Sequence, residues 1–112
     1  HIAARNTDGY LRWAYNSWTE EPLLDSRFRT WAAGDTYIIY PGNRTSIRFE
    51  KLIEGIQAYE KIRILREEYA RTGNAKASAR LEEALSKVSL ESLQAAVPAS
   101  ESIAEAKELL NL

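Results

Sequence analysis

Cysteine is missing from all 112 residues, and so is methionine. Without thiols the chain has no disulfide, no thiolate metal site and no cysteine nucleophile. Histidine occurs once, as His1, so a His-dependent triad or an ordinary zinc centre lacks its ligands. An excess of one charge is lacking too: 15 Lys and Arg stand against 16 Asp and Glu, a net charge of -1. A nucleic-acid binder needs a basic excess to displace counterions from phosphates. No apolar run approaches the roughly 20 residues that cross a bilayer. The opening HIAARNTDG lacks the pattern of a signal peptide. These absences predict no metal, no organic cofactor, no nucleic-acid partner and no membrane partner. The missing initiator Met predicts a processed, tagged or partial chain.

Aromatic residues are absent from the last third. All three Trp, six Tyr and two Phe precede Gly73, after which Ala, Leu, Ser, Glu and Lys dominate. The change predicts two regions, residues 1–73 and residues 74–112.

In the first region LRWAYNSW stands out. Leu11, Trp13 and Tyr15 alternate with Arg12, Ala14 and Asn16, the spacing of a strand. A first strand is expected at residues 10–16, after a helix tail at residues 2–6 and a Thr7-Asp8-Gly9 turn. Residues 17–34 form a long loop, and loops of that length are usually functional. DTYIIY, residues 35–40, reads as a second strand that Pro41-Gly42-Asn43 ends. Thr45 or Ser46 can cap a long helix over residues 46–71. Phe49, Leu52, Ile53, Ile56, Tyr59, Ile62, Leu65 and Tyr69 form its apolar stripe. Gly73 can close it. Gly55 inside it predicts a close neighbour.

The second region predicts a small helical appendage. Asn74 can cap a helix over residues 75–87 that buries Ala77, Leu81, Ala84, Leu85 and Val88. Ser89 can open a short helix ending before Pro98. Ser102-Ile103-Ala104-Glu105 has the form of a capping box for a last helix burying Ile103, Ala106 and Leu110.

GYLRWAYNSW, DSRFR, AGDTYIIYPG and SIRFEKLIEGIQAYEKIRIL occur in that order. They resemble domain of unknown function 4091, found at the C-terminal end of glycoside-hydrolase-like proteins related to glycoside hydrolase family 123. The resemblance runs from Asp8 to about Glu68. It implies a (β/α)8 barrel with residues 10–16 as the seventh strand, 35–40 as the eighth and 46–71 as the closing helix. A whole barrel needs about 250 residues. The expected fold is therefore α+β and mostly helical: a C-terminal barrel fragment of two strands and a long helix, followed by the appendage.

The family implies hydrolysis of a terminal N-acetylgalactosamine, assisted by the sugar's acetamido group and served by an adjacent Asp-Glu pair. No such pair exists here; Glu20-Glu21, Glu67-Glu68 and Glu82-Glu83 do not match its place. No catalytic residue carries over, and the chain by itself is not expected to be an enzyme. Polysaccharide-degrading relatives are often exported, which makes a secreted or periplasmic parent an expectation.

Barrel active sites lie at the C-terminal ends of the strands. There Trp18 can offer a stacking face to a sugar, Asn16 an amide and Tyr40 a hydroxyl, with Trp13 and Tyr15 deeper on the same strand. The same residues also suit plain packing. Trp13 and Tyr15 fit a core better than a ligand, and Tyr40 fits core or turn packing better. Arg12 suits a structural ion pair, and Asp35 suits pinning the loop before its strand. Asp25, Arg27 and Arg29 either brace the long loop or form a solvated surface. Residues 42–46 suit a plain N-cap better than an anion site; Asn43-Arg44-Thr45 fits the glycosylation sequon, which matters only in a eukaryotic secretory host, and chance occurrence is the better reading. The expected partners are carbohydrate, through the parent protein, and either a second copy or the missing N-terminal part of the barrel. The alternatives are a protein interaction or oligomerisation module and a stand-alone sugar binder.

Overall fold

The computed structural model describes residues 1–27, 31–89, 95 and 98–110. Three helices are present among them: α1, Ile47–Thr72; α2, Ala75–Ser86; and α3, Ala99–Leu110. The chain divides into two compact units, His1–Gly9 with Gln57–Leu112, and Tyr10–Ile56.

The helix ends follow from local chemistry. Ser46 Oγ accepts the Phe49 amide at 3.1 Å and caps the first turn of α1. At the other end Gly73 adopts φ +65. Its amide bonds the Ala70 carbonyl while Asn74 N–H bonds that of Tyr69 at 3.0 Å. Those paired bonds are a Schellman closure, which the left-handed glycine makes strain-free. Asn74 then caps α2 by accepting the Ala77 amide at 3.1 Å.

In the unit built from both ends of the chain, Ala3, Ile62, Leu81 and Leu85 form the core. Tyr59, Leu65, Tyr69 and Leu110 pack around it. The expected helix tail at residues 2–6 is a single 3-10 turn, Ala3–Arg5, ended by Asn6 in the left-handed region. Ala84 on α2 and Val88 just past its end are buried, as the periodicity predicts, and Ala77 is half-buried. The α1 stripe is only partly covered: Ile62 is buried, six of its members are half-buried and Ile56 is exposed. Among the described residues no neighbour stands within 4 Å of a Cβ built on Gly55, so they do not supply the predicted packing reason for that glycine.

The last helix corrects the sequence reading. It begins at Ala99, and the Pro98 carbonyl accepts the Glu101 amide at 2.9 Å. Ser102 is therefore inside the helix and buried rather than capping it, and Ile103 is turned outward. Ala106 is buried and Leu110 packs on the core, as expected. The short helix predicted between Ser89 and Pro98 falls largely outside the described residues.

The strands are the larger correction. Among the described residues there is no strand, only isolated bridges. Asn16 pairs with Tyr37 in antiparallel sense, closed by Ser17 N–H to Thr36 O at 3.1 Å and Ile38 N–H to Tyr15 O at 2.9 Å. Adjacent barrel strands run parallel, so a two-strand barrel fragment is not what this chain forms. Two segments without a third lack the hydrophobic face and hydrogen-bond partners that extend a ladder. Mostly helical is the description that holds.

Candidate functional site: the aromatic surface of residues 10–56

Tyr37 is wholly buried in this unit; Thr36 and Ile38 flank it in sequence and, like Ser46, are buried too. Thr36 Oγ1 donates to the Ser17 carbonyl and Ser46 Oγ to that of Ile38, tying each buried hydroxyl to backbone. Arg48 Nε donates to the Tyr37 carbonyl at 3.2 Å, and its guanidinium lies 5.6 Å from the Tyr37 ring centre. The Tyr37 hydroxyl has no hydrogen-bond partner among the described residues. Burial, and next the neighbouring Tyr40, push its phenol above the ordinary value of 10.

In this unit the predicted sugar contacts find separate partners. Trp13 is 58% exposed and meets Trp31, ring centres 5.5 Å apart and tilted by 47°. Tyr15 stands edge-on to Phe49 at 6.4 Å. Trp18 donates its indole N–H to the Ile39 carbonyl at 2.8 Å. Asn16 holds the bridge to Tyr37, its side chain exposed. Tyr40 stacks edge-on against Tyr37 at 5.2 Å. Core packing, expected for Trp13 and Tyr15, is not what they do: half or more of each is exposed, and among the described residues no strand covers their faces.

Tyr40 lines an open hollow of about 350 Å³. Its other walls are Pro22, Leu23, Leu24, Ser26, Arg44 and Thr45. Sequence reasoning did not single out Trp31, Leu23 or Leu24, and it met Arg44 only as the middle of a sequon. Trp31 sits in a loop without periodicity, so nothing in the sequence marks it as the neighbour of Trp13.

The charged residues behave structurally. Arg12 Nη2 meets Asp35 Oδ1 at 2.7 Å, which supplies the ion pair expected of Arg12 and the loop anchor expected of Asp35. Arg27 binds Asp25 through both carboxylate oxygens, at 2.8 and 2.6 Å, and through its own amide. Those bonds hold the Asp25 carboxyl down at about 2. The pair lies on the solvated surface, and Arg29 is outside the described residues. No group of His, Asp and Glu among the described residues is placed to hold a metal ion. No described helix is long and apolar enough to cross a membrane.

The family model for glycoside hydrolase 123, catalytic domain, matches residues 1–65. The origin of this region is thus glycoside-hydrolase-like. The match spans more than half of the sequence, and the chain belongs to the glycoside hydrolase 123 family. No match was found among the curated proteins.

Proposed function

We propose that the chain is a non-catalytic C-terminal segment of a glycoside-hydrolase-like protein and presents a carbohydrate-facing surface from residues 10–56. Residues 74–112 are its helical appendage. The observation that carries this reading is a family match over a region without an adjacent Asp-Glu pair. The exposed indoles agree with it, because sugars stack their apolar C–H face on aromatic rings. Trp18 uses its N–H on the backbone, which leaves its 39%-exposed ring as a platform. Asn16 supplies an amide and Tyr40 a hydroxyl; Trp13 and Tyr15 extend the surface.

Two assays test the reading. Titration with N-acetylgalactosamine should change tryptophan fluorescence; a flat response at millimolar sugar removes the sugar contact. The chain alone should leave a chromogenic N-acetylgalactosaminide intact, and turnover overturns the non-catalytic role.

A second reading, an oligomerisation surface, rests on a different observation. Among the described residues, exposed large apolar side chains crowd into Tyr10–Ile56, with Leu11 94% exposed; only Ile64 and Ile103 lie outside it. Covering such a surface is favourable by roughly 25 cal/mol per Å². Light scattering after size exclusion decides: a monomer with a sharp melting transition counts against this reading.

A further inference from the structure

The hollow beside Tyr40 has a chemical character that the aromatic surface lacks. Among the described residues Arg44 is its one charged wall, and none of them lines it with a carboxylate. Arg44 is held in place before any ligand arrives. Its carbonyl accepts the Tyr40 amide at 2.8 Å across a tight turn. Its Nη1 donates to the Pro41 carbonyl at 3.1 Å. The same nitrogen lies 3.1 Å from where a Cβ on Gly42 would stand. The turn favours glycine for its φ of +74, and the absence of a side chain there lets the guanidinium lie close against it.

One guanidinium donor is used in this way, and the rest have neither a carboxylate nor an aromatic ring among the described residues. The other described arginines of the unit differ. Arg12 holds Asp35, Arg27 holds Asp25, and Arg48 lies over Tyr37. A fixed planar fork with spare donors is the group that recognises carboxylate and sulfate oxygens. Around it stand Ser26 and Tyr40, whose side chains also meet the Tyr37 phenol, and the apolar residues Pro22, Leu23 and Leu24. Thr45 is engaged elsewhere, donating to Glu50 at 2.6 Å. Glu50 does not line the hollow, but its charge opposes an anion, and Arg44 must outweigh it.

We propose that Arg44 and this hollow form a subsite for an anionic substituent of a sugar, a uronate carboxylate or a sulfate ester, with Leu23 and Leu24 against the sugar's apolar face. The inference rests on the carbohydrate reading above and narrows it to acidic sugars.

The test is an amide-shift titration of the 15N-labelled chain with galacturonate, N-acetylgalactosamine 4-sulfate, N-acetylgalactosamine and inorganic sulfate. An acidic sugar should bind at least about tenfold tighter than the neutral one, as a charged hydrogen-bond pair implies. The shifts should centre on residues 22–26 and 40–45. R44Q should abolish the preference, while R44K should keep part of it. Equal binding of acidic and neutral sugars overturns the subsite and leaves the carbohydrate reading standing. Sulfate alone binding as tightly as the sulfated sugar also overturns it, as does a preference that survives R44Q. Failure of every sugar to bind removes both readings. Should R44Q not fold, the shift map decides, and shifts away from these residues overturn the proposal.

Discussion

The guanidinium of Arg48 lies 2.8 Å from the point where any side chain on Gly34 would begin. Gly34 has φ +72, so two constraints meet at one residue. Replacing it with Ala imposes the left-handed strain and pushes Arg48 off the Tyr37 ring and carbonyl. Gly34→Ala should cost about 1–2 kcal/mol. Chemical denaturation measures it; an unchanged midpoint would falsify this account of Gly34.

Gly55 is the opposite case. It lies inside α1, and a Cβ there would meet nothing within 4 Å. Gly55→Ala should therefore stabilise the chain by up to about 1 kcal/mol through helix propensity alone. A lowered melting temperature would mean that a neighbour covers that face after all.

Ser46 serves two backbone groups, accepting from Phe49 N–H and donating to Ile38 O while buried. Ser46→Ala removes the α1 cap and orphans a buried carbonyl. The expected loss is about 1–2 kcal/mol, read from urea unfolding. Asp at this position keeps the cap but loses the donor, so it should recover only part.

Asp25 offers a pH test. Its carboxyl is lowered from the ordinary 3.8 to about 2, first by the hydrogen bonds from Arg27. The stabilisation from this group is present above pH 3.8 and is lost as pH falls through about 2. The carboxyl carbon shift of Asp25 should titrate near 2, and Arg27→Gln should return it toward 3.8. An unchanged midpoint in that variant would assign the shift to something other than Arg27.

Arg66 joins α1 to α2 through two bonds to Glu82, at 2.8 and 3.0 Å. Glu82 is lowered below the ordinary 4.5, chiefly by that pairing. The contribution holds above 4.5 and fades as pH falls through the lowered value. Because the pair is largely exposed, a double-mutant cycle should give only about 0.2–1 kcal/mol. A coupling of zero at pH 7 would show that the contact is unoccupied in solution.

Where the bonds are local, the sequence is legible. Ser46, Gly73 and Asn74 act at positions read from their neighbours three or four residues away. The capping box at Ser102 misleads for the same local reason: the pattern is present, but burial of Ser102 and the Pro98 carbonyl place the start of α3 earlier. The alternation at residues 10–16 is also real, yet alternation names only a face and not the neighbour that must cover it. In the candidate site, Trp18 and Tyr40 are visible as aromatics, whereas Trp31 beside Trp13 and Arg44 beside Tyr40 are brought in by chain reversals.

Composition and local periodicity alone determined two of the helices, their caps and the aromatic-free end, while the glycoside-hydrolase-like character of the first 65 residues rests on family likeness. Tertiary structure decided that Asn16 meets Tyr37 in a lone antiparallel bridge, that Trp13 faces solvent and that Arg44 borders a hollow. The reason is range. A helix closes its hydrogen bonds within four residues of itself, while a strand, a hollow and an ion's partner all depend on chain that is distant in sequence.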